Sequence, residues 1–370
     1  MKVLHLLSAG YIGGIEVLCK DIAQRDKENN IFAFLFGGGA MEDKIKEIGV
    51  PVYSVYKEKH VNTRKRIKRL LTICEENQIQ AVIVHKEGID ILLHYLLLAR
   101  RRPDLYFIRY FHTAFEEKYY YVGNCITNKI NKYLIWQSIK KSDSIVSVSK
   151  CVEESLYCHF KVEPRKMHVI YNGISEDLFA DSQEKNDENK NKLEIIYVGR
   201  IVDAKGIDVL INAFMGVLEK KPEIKLRLLG DGEARIGYEE KVRSMGIEES
   251  VIFEGFQLEK EKYLKNADIF VYPSRCEEAF GISIVEAMAY GLLCIASNVG
   301  GIPEVIKDRK NGFLFQSEDS LDLESKLLVA ITAIEKGQDK EMALEAKKTA
   351  HFFTIDQTVK QLNDMYQSLP

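Results

Sequence analysis

What most constrains the fold of this chain is a rhythm that runs through it twice: a short apolar run, a glycine or polar turn, then residues apolar at helical spacing. In the first series the strands are expected at Val3–Ala9, Ile31–Phe36, Val52–Tyr56, Ala81–His85, Leu105–Tyr110, Ser144–Val148 and His168–Tyr171. Helices are expected from Gly14 to about Arg25 and near Met41–Ile48, Thr63–Asn77 and Ile89–Arg100. Apolar strands alternating with helices specify a parallel sheet covered on both faces. A second series starts at Leu193, with strands at Glu194–Val198, Lys225–Leu229, Val251–Glu254, Ala267–Tyr272, Leu293–Ala296 and Gly312–Phe315. Between the two, Ser175–Lys192 is polar and of low complexity, the composition of an interdomain linker. The 370 residues exceed what one core usually serves. The expected organisation is therefore a first domain over 1–174, a linker over 175–192 and a second domain over 193–353.

Composition excludes several classes. Hydrophobic residues at 46% and charged residues at 29% describe a globular chain. No apolar run reaches the roughly 18 residues of a membrane span, and Met1–Leu7 is too short for a secretory signal and reads as a first strand. Seven scattered cysteines form neither a disulfide framework nor a paired metal-ligand pattern, which fits reduced thiols in a cytoplasmic protein. Residues 1–175 hold 27 Lys and Arg against 19 Asp and Glu, and the remainder 25 against 36, so a basic front half precedes an acidic back half. Most concentrated is Lys57–Arg69, with Lys57, Lys59, Arg64, Lys65, Arg66, Lys68 and Arg69 beside Ile67 and Leu70. Such a helix can rest on the inner face of an anionic membrane, or present a solvated face beside a buried stripe. Phe115–Trp136, with Tyr119, Tyr120, Tyr121, Tyr133 and the one Trp, can stack on sugars or pack between helices. Gly37-Gly38-Gly39 is read as a plain turn.

The chemistry is expected in Tyr272–Ala289. An apolar strand ends at Tyr272, a polar turn carries Glu277 and Glu278, and after Gly281 the residues Ile284, Val285, Met288 and Ala289 recur at helical spacing. Gly281 lets the backbone approach a ligand, and the first amides of the helix suit an anionic group. Glu278 in the turn and Glu286 deeper in the helix could touch different parts of one extended ligand. The alternative is that the acids only favour the helix N-terminus and Glu286 faces solvent. Gly10-Tyr11-Ile12-Gly13-Gly14 is a second strand–turn–helix junction, either a phosphate cradle or a tight turn. His112 stands just past a strand end, where ligands of α/β sheets bind. Arg200 and Lys205 flank the first turn of the second series, a fork and a point charge suited to phosphate oxygens. There is no Asp-x-Asp to hold a divalent ion.

Glu278-x7-Glu286 within Pro-Ser-x5-Phe-Gly, followed by Val299-Gly300-Gly301-Ile302-Pro303-Glu304, resembles the signature of retaining glycosyltransferases of family 4, with the GT-B fold. Gly13-Gly14-Ile15-Glu16, His112, Tyr171-Asn172-Gly173, Val198-Gly199-Arg200 with Lys205-Gly206, and Gly230-Asp231-Gly232 agree. The likeness is strong from about 193 to 316 and thinner from about 40 to 140. It implies an α/β architecture of two doubly wound Rossmann-like domains facing across a cleft, with a final helix at about 354–370 returning to the first. It also implies a nucleotide-sugar donor, UDP- or GDP-linked, and a glycan or lipid-linked acceptor, in bacterial surface polysaccharide or glycoconjugate synthesis. Carried over, Arg200, Lys205, Glu278 and His112 are catalytic. Gly13, Gly14, Asn172, Phe256, Phe280, Gly281, Ile282 and Glu286 bind the donor: Glu286 at the ribose, backbone near Phe256 at the base, and the Gly14 amide at the distal phosphate. No metal or other cofactor and no nucleic acid is expected. Two other readings are a sugar-nucleotide epimerase on the same fold and a non-catalytic partner of another glycosyltransferase.

Overall fold

A computed structural model describes residues 1–11, 13–56, 62–86, 88–115, 125–181 and 193–369. These fall into two compact units, one of Met1–Gly173 with Ile355–Pro370, the other of Ile174–Thr354.

The first unit carries seven strands: β1 (Val3–Leu7), β2 (Asn30–Phe36), β3 (Val52–Tyr56), β4 (Ala81–Val84), β5 (Tyr106–Phe111), β6 (Ser144–Ser147) and β7 (Met167–Val169). They lie in the order β3-β2-β1-β4-β5-β6-β7 with every neighbouring pair parallel. β1 and β4 are buried along their whole length, as strands covered by helices on both faces must be. The order reverses between β1 and β4, which puts the topological switch point, where such sheets bind ligands, at the ends of those two strands. The helix Ile355–Ser368 completes this unit. Arg25 pairs with Asp356 at 2.9 Å, and the Thr358 hydroxyl donates to the Tyr171 carbonyl at 2.9 Å.

The second unit has six parallel strands, β8 (Glu194–Val198), β9 (Lys225–Leu229), β10 (Val251–Gly255), β11 (Ile269–Tyr272), β12 (Leu293–Ser297) and β13 (Phe313–Phe315), in the order β10-β9-β8-β11-β12-β13. Its switch point lies between β8 and β11. Both units are thus doubly wound α/β sheets, as the rhythm of the sequence requires.

Several local expectations are corrected. The stretch read as linker opens with a short helix, Asp177–Asp181, and Phe179 stacks on His351 with centroids 3.9 Å apart. Residues 182–192 lie outside the described residues, as do 57–61 of the basic stretch and Tyr119, Tyr120 and Tyr121. Within the basic helix Thr63–Glu76, Arg66 turns inward, buried with its guanidinium 4.7 Å from the centre of the Phe36 ring, and Arg69 lies over Tyr53. Only Arg64, Lys65 and Lys68 of its described cations are exposed. Trp136 takes the Lys140 ammonium at 3.8 Å from its ring centre. Gly37-Gly38-Gly39 does more than turn: the Gly10 amide donates to the Gly38 carbonyl, and a Cβ at Gly39 would collide with Gly10. The triple glycine therefore shapes the loop leaving β1.

Candidate active site

Glycine contacts build the site of the second unit. The 3-10 turn Asp203–Lys205 ends on Gly206 at φ 66°, a left-handed conformation that favours glycine. A Cβ there would strike the Pro273 carbonyl. The Arg275 amide donates to the Ala204 carbonyl at 2.9 Å, so the turn after β8 is tied to the turn after β11. On the other side, Cβ atoms at Gly300 and Gly301 would run into the backbone of Glu278 and Ala279, and the Gly301 amide donates to the Glu278 carbonyl at 2.6 Å. Val299-Gly300-Gly301 is therefore the wall that holds the Glu278 turn. Gly230 and Gly232 meet the backbone of Gly199 and Ile201 in the same way, and the Ile201 amide donates to the Asp231 carbonyl at 2.9 Å.

These contacts bring Lys205 and Glu278 together. The Lys205 ammonium pairs with the Glu278 carboxylate and donates to the Tyr272 hydroxyl at 3.0 Å. The Ser274 hydroxyl donates to Glu278 Oε1 at 2.6 Å. Tyr272 and Tyr197 stack behind the pair, and burial first, then the Glu278 charge, raises the Tyr272 phenol. Arg200 stands at the end of β8 with an exposed side chain and no ion pair among the described residues. The helix Ile282–Ala289 begins on Gly281, φ 85°, without a side-chain cap, so its leading amides stay available. By contrast, Asn62, Ser149 and Asp319 cap helices elsewhere with their own side chains.

The remaining candidates divide. Glu286 does not face solvent: it is 9% exposed and takes both oxygens to the Lys260 ammonium, at 2.6 and 2.7 Å. Lys260 gave no signal in the sequence, because its partner lies 26 residues away and belongs to no spacing motif. Phe280 is 2% exposed and packs edge-on against Phe353, so only its backbone can serve a ligand. Phe256 is 61% exposed just past β10.

In the first unit, Gly13 caps the helix Gly14–Arg25 without a side-chain bond, and a Cβ on Gly14 would meet nothing within 4 Å. Glu16 in the first turn is buried and paired with Lys86 beyond β4. Half-buried His112 follows β5. Its Nε2 lies 3.1 Å from Nδ1 of His85, whose Nε2 lies 2.9 Å from Nδ1 of His5. Burial, aided by the Arg109 and Lys86 charges, holds the His112 imidazole down to about 3. Asn172 is half-buried, and its Oδ1 has no hydrogen-bond partner among the described residues. The structure thus gathers Lys205, Glu278, Gly281 and Ile282 in one unit, with Arg200 at the adjoining strand end. It places Gly13, Gly14 and His112 on the other unit, at the carboxyl ends of β1 and β5.

Comparison with known proteins adds the chemistry. Residues 12–178 match the family described as Glycosyltransferase Family 4, and residues 179–350 match Glycosyl transferases group 1. An uncharacterized glycosyltransferase of Methanocaldococcus jannaschii is 35% identical over 186 residues, 47% of each chain, so the chain spans about half the length of that relative. A D-inositol 3-phosphate glycosyltransferase of Streptomyces scabiei is 26% identical over 348 residues, 85% of this chain and 78% of that one. Among solved structures, the Anabaena protein HepE, determined with UDP, superposes with a TM-score of 0.84 over 100% of both chains at 20% identity. It has also been determined with UDP-glucose. The strand orders, the match over both units and the relatives agree: the chain is a glycosyltransferase of the GT-B type.

Proposed function

We propose that the chain is a retaining, metal-independent glycosyltransferase that moves a sugar from a nucleoside-diphosphate sugar to a glycan or lipid-linked acceptor. The observation that carries this is the Lys205–Glu278 pair beside Arg200 at the second switch point. Cleaving the bond to the donor's phosphate builds negative charge on the leaving group. Arg200 and Lys205, with the Gly281–Ile282 amides, supply fixed positive potential there without reorganisation during reaction. Glu278 then accepts hydroxyls of the transferred sugar, and Glu286 those of the ribose. Backbone near Phe256 and Phe280 meets the base and the sugar-phosphate. Gly13, Gly14, His112 and Asn172 take the roles that the resemblance assigns them.

Retention follows if the acceptor attacks from the face the phosphate leaves, the phosphate taking the acceptor's proton. UDP-bound HepE supports a uridine donor. The exposed Arg64, Lys65 and Lys68 support a peripheral contact of the basic helix with an anionic surface, although no described helix is long and apolar enough to cross a membrane.

The test is to melt the purified chain with UDP-, GDP- and ADP-sugars and assay transfer with the donor that stabilises it. A ligand at 100 times its Kd adds about 2.7 kcal/mol. Transfer is expected to persist in excess chelator, with an axial or equatorial product bond matching the donor's. Loss in chelator restored by a divalent ion, or inversion of the anomeric centre, would refute the corresponding part. Epimerised donor without acceptor would favour an epimerase.

A further inference from the structure

A row of three imidazoles crosses the sheet of the first unit, and nothing in the proposed chemistry uses two of them. His5 on β1 and His85 after β4 are buried and lie edge to edge with nearly coplanar rings, centroids 5.1 Å apart and planes 15° apart, and His112 continues the row from His85 at 5.3 Å and 25°. The row ends inside at Asn30 on β2, whose Oδ1 lies 2.6 Å from His5 Nε2. What fixes its direction is the backbone. Asn30 Nδ2 donates to the Asp26 carbonyl at 2.8 Å, and a carbonyl can only accept. The amide nitrogen must therefore face Asp26, which turns Oδ1 toward His5.

Each proton position then follows from the last. Oδ1 accepts, so His5 carries its proton on Nε2 and offers Nδ1 as a lone pair. His85 must donate through Nε2, which leaves its own Nδ1 to accept. His112 must donate through Nε2 at 3.1 Å. We infer that Asn30, His5 and His85 are positioning residues that lock His112 as its Nε2–H tautomer, so that its Nδ1 can only accept a hydrogen bond from a ligand hydroxyl. Nδ1 has no hydrogen-bond partner among the described residues. On the reading proposed above, on which the ligand part rests, that hydroxyl belongs to the donor sugar. The same polarity makes His112 unable to donate through Nδ1 to a phosphate oxygen.

The surroundings agree with a neutral row. Burial lowers His5 to about 4 and His85 well below its ordinary value, while Arg109 and Lys86 oppose charge on His85 and His112. Asp26 favours a proton on His5, but less than burial opposes it. Lys86 is itself paired with Glu16, and the Arg109 guanidinium donates to the Lys86 carbonyl at 3.0 Å.

Long-range proton–nitrogen correlation spectra of the ligand-free, 15N-histidine-labelled chain near neutrality test this directly. His112 is assigned from the signal lost in His112→Gln. His112, His85 and His5 are each expected with a protonated Nε2 and a bare, imine-type Nδ1. In His85→Phe, which removes the acceptor, His112 should become a mixture of tautomers. A His112 protonated on Nδ1, or charged near neutrality, would overturn the inference, as would a His112 spectrum unchanged in His85→Phe. So would stoichiometric zinc shifting the His5 and His85 nitrogens, since the ligating atoms of His5, Cys19 and His85 lie within 4.8 Å of one another and would then form a metal site. With that assignment, the wild-type spectrum decides the tautomer even if His85→Phe does not fold. It also decides it whether or not the chain transfers sugar, so a failed transfer assay and a failed tautomer assignment remain distinct results.

Discussion

Lys205 and Glu278 neutralise each other in the ligand-free chain, yet their proposed partners differ: one meets phosphate, the other sugar. Replacing Glu278 by Gln keeps a group that can accept from Ser274 and removes the charge. Lys205→Ala removes the cation. Each is expected to lower kcat/KM by about 10²–10³, the usual consequence of losing one preorganised group, read by steady-state kinetics with circular dichroism showing a folded chain. Gly14 makes the opposite kind of prediction. Space beside it is open, so Gly14→Ala should raise stability by about 0.4–1 kcal/mol while weakening donor binding if phosphate approaches that backbone. Thermal melts with and without donor separate the two effects. Lys205, Glu278, Arg200 and His112 were legible from motif and strand-end position. Lys260, Asn30, His5 and His85 were not, because their partners come from distant strands and no local spacing encodes them.

Between residues and domains, the loops decide whether the site exists. Gly301 has an ordinary backbone conformation, φ −81°, so Gly301→Ala isolates the collision of its Cβ with the Ala279 carbonyl from any backbone strain. The expected result is a cost of about 1–3 kcal/mol and a displaced Glu278, measured as a lower melting temperature together with lost transfer.

The histidine row makes its own prediction. These groups are neutral when folded, with lowered values, and take up protons near 6.5 when unfolded. The unfolded chain therefore binds more protons below that pH. Stability should be full above about 6.5 and fall as the pH drops toward about 4, where His5 itself titrates. Replacing His5 by Gln should make the melting temperature less steep in that range.

At this scale the sequence was largely readable, since apolar runs and helical spacing located most elements to within a residue or two. It misread Asp177–Asp181 because its acidic, polar context hid the stacking of Phe179 on His351. It also missed why three glycines follow β2, because the reason is a backbone thirty residues earlier.

For the molecule as a whole, two series of alternating elements were enough to foresee two parallel sheets. Composition alone could not show that one unit is assembled from both ends of the numbering. The helix Ile355–Ser368 buries Ile355, Leu362, Met365 and Tyr366 in the unit that starts at Met1. At about 1.5–3 kcal/mol for each such side chain, its loss is comparable with the whole stability of a typical domain, about 5–15 kcal/mol. A chain ended after Thr354 should therefore keep the melting transition of the Ile174–Thr354 unit and lose the other, which calorimetry would show. The same threading bears on biosynthesis. A ribosome delivers residues in order, so the Met1–Gly173 part must wait, incomplete, until the Ile174–Thr354 unit has emerged. Its half-made core stays dependent on a segment not yet translated, whereas the intervening unit can close on its own.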